Sequence, residues 1–196
     1  MADQISALHE HLSAGCYSEQ GEIGVVLEEL RPLYLFQMAA WPQTMEQVGA
    51  LVAQATGASE APCIGQSTVG DKAIALRVEP LKYWLISDKP DFSVVDLPSE
   101  FGCSLNLSHS RIWINIRGHK AEALLNHFLP VDLRDSRFME GNVVSTAFHH
   151  VGVTLWRLDQ SFNLLLPRSF SVALWQLLTE SARQYGVDIK SGKKPK

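Results

Sequence analysis

Hydrophobic residues recur with period two in some stretches of the chain and with a period near 3.6 in others. Between Ser110 and Arg117, Ile112, Ile114 and Ile116 alternate with Arg111, Trp113, Asn115 and Arg117. Successive strand side chains point to opposite faces, so this run predicts a strand with one buried face. Leu33 to Trp41 (LYLFQMAAW) is nearly continuously apolar and predicts a strand buried on both faces. Shorter β-branched or aromatic runs predict strands over 23–30, 73–78, 83–87, 143–149, 151–158 and 162–166. Pro80, Gly152 and the Asp159-Gln160-Ser161 turn punctuate them. The helical period appears three times. Met45, Val48, Leu51, Val52 and Ala55 share one face, with Gly57 placed as C-cap. Ala121, Leu124, Leu125 and Phe128 do the same over 119–128, with His119, Glu122 and Asn126 opposite. The last pattern predicts a helix over 169–185, with Ser169 as N-cap and Gly186 at its end. Leu8 and Leu12 give residues 2–14 one thin stripe, as in a short helix or arm.

The order is strand, helix, strand, strand, repeated, then a final helix. Helices segregated on one face of mixed or antiparallel sheets make an α+β fold. Two pseudo-repeated halves of ferredoxin-like, split-βαβ type are expected. The expected boundaries are an N-terminal arm or short helix over 1–22, a first half over 23–104 and a second half over 105–188. A disordered basic tail over 189–196 would carry Lys190, Lys193, Lys194 and Lys196.

Composition narrows the function classes. A chain of 196 residues buries roughly 70% of its unfolded surface and needs no disulfide or metal to fold. A net charge of −4 argues against a nucleic-acid partner. The apolar runs fall short of the ~20 residues a membrane helix needs, and no signal-peptide pattern is visible. Cys16, Cys63 and Cys103 are odd in number and far apart, the usage of a reduced, cytoplasmic protein without a structural metal.

Ser108, His109, Ser110 and Arg111 invite a catalytic reading. In a strand His109 would point away from both serines, and a serine nucleophile needs its base within hydrogen-bond reach. The stretch is therefore read as the polar start of a strand, with Arg111 its functional side chain by contact. No histidine pair has metal-ligand spacing and no glycine-rich phosphate loop is present. Glu28-Glu29 and Asp132 with Asp135 read as solvated carboxylates. Arg168, at a strand-to-helix corner, would meet a carboxylate or phosphate, or pair with a neighbour. Trp175 lies on the flank of an already filled helix face. Either it anchors a second contact surface with Ser169 nearby, or the buried face is wide.

The motifs also support a resemblance. LNLSHSRIWINIRGHKAEALL, PVDLRDSRF with Gly141, HHVGVTLWRLDQSFNLLLPRSFSVALWQLL and a closing RQYG resemble the gamma-subunit family of heterotetrameric sarcosine oxidases. GVVLEELRPLYLFQMAAWP and VEPLKYWLIS agree more weakly. One departure is Gly118-His119, where that family often has Gly-Pro; histidine is tolerated at a first helical turn. The resemblance implies a small, non-catalytic subunit without a cofactor of its own. Its alpha, beta and delta partners would carry FAD, FMN, NAD and zinc. The complex would demethylate sarcosine oxidatively to glycine, passing the one-carbon unit to tetrahydrofolate. The chain is also similar to the folate-binding domain of the aminomethyltransferase superfamily. That similarity opens the alternative of a stand-alone folate-binding or one-carbon transfer protein, in which Arg111, Arg117 and Arg168 would hold folate's acidic tail. A related complex that oxidises another N-methyl amino acid would need the same subunit.

Overall fold

A computed structural model describes residues 5–18, 21–94 and 96–191. Their elements, in chain order, are β1 (Gly15–Tyr17), β2 (Val25–Leu30), β3 (Tyr34–Ala40), α1 (Met45–Thr56), β4 (Ser67–Val69), β5 (Ile74–Glu79), β6 (Lys82–Ser87) and β7 (Gly102–Asn106). These are followed by β8 (Arg111–Arg117), α2 (Ala121–Leu125), β9 (Val143–Phe148), β10 (Val151–Leu158), β11 (Ser161–Pro167), α3 (Ser171–Ala182) and β12 (Val187–Lys190). Among the described residues the strands form two sheets, ordered β1-β12-β2-β8-β11-β10-β9 and β4-β5-β6-β3-β7. The fold is α+β.

The chain divides into two compact units. One comprises the described residues up to Arg31, Ser110–Glu140 and those from Ser145 onward; the other comprises Pro32–His109 with Gly141–Val144. This corrects the expected boundaries. β2 does not belong to the first half, because it pairs antiparallel with β8, Glu28 opposite Asn115. β7 belongs to the first half rather than the second, because it pairs with β3, Phe36 opposite Asn106. The crossing between units falls inside the Ser108-His109-Ser110 stretch.

The expected repeat is present in topology. Each half runs strand, helix and then three strands, the last of which pairs antiparallel with the first: β6 with β3, and β11 with β8. The orders β4-β5-β6-β3-β7 and β9-β10-β11-β8-β2 therefore correspond strand for strand. Each half also places a hydrogen-bonded polar pair at directly opposed positions of its central strands. Trp84 Nε1 donates to Gln37 Oε1 at 3.1 Å in one, and Asn115 Nδ2 to Asn163 Oδ1 at 3.1 Å in the other.

α1 forms as expected, burying Val48 and Val52, and Gly57 caps it in the left-handed region at φ 74° with its N–H on Ala53 O. Around it Met38, Ala75, Tyr83, Leu85 and Phe92 build one core. β3 departs from its reading: Leu35, Met38 and Ala40 are buried, but Tyr34, Phe36, Gln37 and Ala39 are half-buried. β8 departs in the other direction. Trp113 and Asn115 are buried as well as the three isoleucines, so both its faces are covered.

Two helices are shorter than their patterns. The first turn expected at His119 is not helical, and α2 covers only Ala121–Leu125. The last helix is flanked by 3₁₀ turns at Arg168–Phe170 and Arg183–Tyr185. Ser169 is consequently not an N-cap: α3 starts after Phe170 with no side-chain cap among the described residues, and the Ser171 hydroxyl donates back to Arg168 O at 2.7 Å. Residues 189 and 190, expected in the tail, are instead part of a strand. Val187 and Ile189 are buried and pair in parallel with Val25 and Leu27, so Lys190 ends a strand. Its Nζ pairs with Asp188. Lys193, Lys194 and Lys196 lie outside the described residues.

Gly102 marks a close backbone approach: a Cβ there would sit 1.9 Å from Ala39 O. Gly102→Ala is expected to force β7 off β3 and to cost about 1–3 kcal/mol, as overpacking does. Gly152→Ala is the control, since a Cβ at Gly152 meets nothing within 4 Å. Thermal unfolding of the two variants beside the parent checks the contrast.

Candidate functional site

A connected group of buried polar side chains lies on one face of β8 and β11. Arg111, Trp113, Asn115 and Arg117 share that face by strand alternation. Asn163 is placed opposite Asn115 by the β8–β11 register, and Glu28 opposite Asn115 by the β2–β8 register. Asn163 Oδ1 accepts from Trp113 Nε1 at 2.9 Å and from Asn115 Nδ2 at 3.1 Å. Asn115 Nδ2 also donates to Ser161 Oγ at 2.9 Å, and Ser161 Oγ donates to Leu158 O at 2.6 Å. Arg117 Nη1 donates to Asn115 Oδ1 and to Glu28 Oε2, each at 2.9 Å. The chain of bonds thus runs from an indole through two amides to a guanidinium–carboxylate pair. Low local dielectric strengthens the buried Trp113, Asn115, Asn163 and Ser161 bonds and makes them costly to break, whereas the Arg117 side chain is 41% exposed.

Trp156 faces Asn163 across the β10–β11 register. Its ring lies 5.6 Å from that of Trp113, tilted by 41°. It is fully buried, and its Nε1 has no hydrogen-bond partner among the described residues.

Of the three arginines read from the sequence, the structure brings two to this face. Arg117 closes the network at one end. Arg111 stands six residues away, roughly 20 Å at strand rise. It is half-buried, donates to Ser110 O at 3.1 Å, and burial draws its guanidinium pKa down. Arg168 is elsewhere. Its backbone N–H donates to Ser110 O, but its Nη2 reaches Ile5 O at 2.8 Å.

The N-terminal segment forms a second polar cluster with Arg168. The Ser6 hydroxyl donates to both Glu29 carboxylate oxygens, at 2.8 and 2.7 Å, and accepts from Leu8 N at 2.8 Å. Leu8 is fully buried. Trp175, open in sequence between partner anchor and core, is 1% exposed, and its Nε1 donates to His11 O at 3.3 Å. The chain's own N-terminal segment meets this indole, so the wide buried face holds at that position. Ser169 is exposed beside the corner.

Glu29 corrects the reading of solvated carboxylates: it is 4% exposed, and the Glu28 side chain 13%. Burial raises the Glu29 pKa against the lowering effects of the Ser6 hydrogen bond, Arg31 and Arg168. A carboxyl with a raised folded pKa favours the folded state below its unfolded value of about 4.5, and that contribution is lost as pH rises through the folded value. Glu29→Gln is therefore expected to flatten this part of the pH profile. Its stability relative to the parent should be higher at pH 7.5 than at pH 4.5, checked by urea midpoints. Asp132 and Asp135 do not form a pair. The Arg134 side-chain hydrogen bond holds the Asp132 carboxyl at about 2, whereas Asp135 binds Arg157 at 2.6 Å.

Ser108 is not poised as a nucleophile. Its hydroxyl accepts from Leu35 N at 3.0 Å and donates to Leu35 O at 3.4 Å, extending the sheet where β7 ends. His109 is exposed. Among the described residues no three His, Cys, Asp or Glu side chains group as a metal site. No helix there is long and apolar enough to cross a membrane. The site therefore offers hydrogen-bonding and stacking groups: amides, indoles, a hydroxyl and a guanidinium. Sequence reasoning missed Asn163, Ser161 and Glu29. The available signal was an asparagine inside the apolar run SFNLLL.

No protein-family profile matches the chain, and no curated protein matches it in sequence. Solved structures do match in fold. A chain of the heterotetrameric sarcosine oxidase from Corynebacterium sp. U-96, in complex with pyrrole 2-carboxylate, superposes with a TM-score of 0.75 at 23% identity. The match covers 93% of this chain and 96% of that one. The glycine cleavage system aminomethyltransferase T from Bartonella henselae superposes with a TM-score of 0.62 at 15% identity. That match covers 94% of this chain but 57% of the transferase.

Proposed function

We propose that this chain is a non-catalytic, gamma-type subunit of a heterotetrameric oxidase that demethylates sarcosine and passes the one-carbon unit to tetrahydrofolate. The carrying observation is the near end-to-end fold agreement with a chain of the heterotetrameric sarcosine oxidase, 93% of one and 96% of the other. The side chains are consistent with that role. The polar network on β8 and β11 holds strands together and orients Arg117, and Ser108 is spent on the backbone of Leu35. FAD, FMN, NAD and zinc would reside on the alpha, beta and delta subunits, in the cytoplasm. The isolated chain is expected to be colourless and to produce no peroxide from sarcosine. A bound flavin spectrum on the chain by itself would overturn the assignment of the redox chemistry to its partners.

A second reading, a folate-binding or one-carbon transfer protein, is favoured by the likeness to the aminomethyltransferase, of which this chain spans 57%. Arg111 or Arg117, at opposite ends of one face of β8, would then meet the acidic tail of folate. Titration calorimetry with tetrahydrofolate decides it: saturable heat weakened by Arg117→Ala supports folate binding, and no heat removes it.

A further inference from the structure

The unit containing α1 holds a cavity of about 690 Å³ between the helix, β3 and the 88–98 connection. It is remote in sequence from the β8–β11 network, and nothing in the proposed subunit role uses it. Its floor is apolar: Met38, Leu51, Ala55, Phe92, Val94 and Pro98. Met38 and Phe92 are at the same time core residues, so the cavity is an extension of the core to the surface. The volume falls in the range of small-molecule sites, which are apolar pockets with a few placed polar groups.

Two of the polar lining residues are tied to one turn. Lys72 and Lys89 both line the cavity. Lys89 Nζ donates to the carbonyl of Asp71, the residue preceding Lys72, so the two lysines meet at one turn. That turn is fixed: Lys72 N donates to Thr56 O at 2.9 Å, the Ser87 hydroxyl donates to Lys72 O at 2.8 Å, and Lys89 N donates to the same hydroxyl at 3.2 Å. Neither ammonium forms an ion pair among the described residues. Asp91 and Asp96 also line the cavity; all four charged side chains are exposed, but the aspartates lie further along the connection, outside the turn that Lys72 and Lys89 share.

We infer that this cavity binds an amphipathic carboxylate, with its apolar body on the Leu51–Phe92 floor and its anionic end at Lys72 and Lys89. The binding does not depend on the chain being an oxidase subunit. The test uses the purified full chain and two probes, the fluorescent sulfonate 1-anilinonaphthalene-8-sulfonate and decanoate. The dye is expected to bind saturably at one site and to be displaced by decanoate, but not by decylamine. Lys72→Glu with Lys89→Glu should weaken decanoate at least tenfold, and Leu51→Trp, which fills the floor, should abolish it, both with unfolding temperature retained. Methyl resonances of Leu51, Ala55 and Val94 should shift on titration of the parent, which keeps the test valid if a variant fails to fold. Displacement by decylamine as effective as by decanoate would overturn the anion preference in favour of Asp91 and Asp96. Unchanged binding in the variants, or shifts confined to other methyls, would overturn the site.

Discussion

Trp175→Ala is expected to lower the unfolding free energy by about 3–5 kcal/mol, the cost of deleting a large buried aromatic. The indole is 1% exposed on α3, and its N–H holds His11 O. Its loss removes one of the side-chain hydrogen bonds that tether residues 5–14 to the rest of the described chain. The Ser6–Glu29 and Arg168–Ile5 contacts remain. Limited proteolysis should then cut the variant early in residues 5–14, before the body of the protein. Trp175→Phe keeps most of the volume and should cost under about 1.5 kcal/mol. Urea unfolding of the three proteins measures the series. Equal stability of the alanine variant and the parent would mean that the segment and the indole are not packed together in solution.

Asn163→Ala is expected to cost about 2–4 kcal/mol, because its Oδ1 serves two donors and a buried donor left unmatched costs about 1–3 kcal/mol. Trp113 Nε1 loses its partner outright, whereas Asn115 Nδ2 retains Ser161 Oγ. The two losses should therefore be unequal, with Trp113→Phe largely relieving the penalty. A double-mutant cycle between Trp113→Phe and Asn163→Ala is expected to give a coupling of about 0.5–3 kcal/mol. Additive losses would contradict the network.

The elements visible in the sequence were those with long periodic patterns. β8 and α1 each repeat their apolar positions over two or more periods, and both form. β1, β4 and β12 are three or four residues long and offer one or two apolar positions each, too few to set a period. β7 (GCSLN) exposes Cys103 and Leu105 and carries no apolar alternation to mark it as a strand. The division into units was hidden for a different reason. β2 and β8 pair across more than 80 residues of chain, and no local pattern encodes a partner at that distance.

The site was half legible. The alternation of β8 that the sequence shows places Arg111 and Arg117 on one face, and the structure keeps that alternation. Their neighbours Asn163 and Ser161 were not legible, because they arrive from β11 through register alone. Trp175 showed that spacing can place a side chain on a helix flank without saying what covers it. The covering segment is the N-terminal arm, whose thin stripe of Leu8 and Leu12 is its packing face in part: Leu8 is buried and Leu12 half-buried.

The central claim is that this chain works as a subunit. Its most direct test is co-expression with the flavin-bearing oxidase subunits of the same organism, followed by size-exclusion chromatography with light scattering. The expected result is one species containing this chain and flavin in fixed ratio and oxidising sarcosine. The contradicting result is a chain that elutes alone while the flavin-bearing subunits assemble and turn over sarcosine at full rate without it.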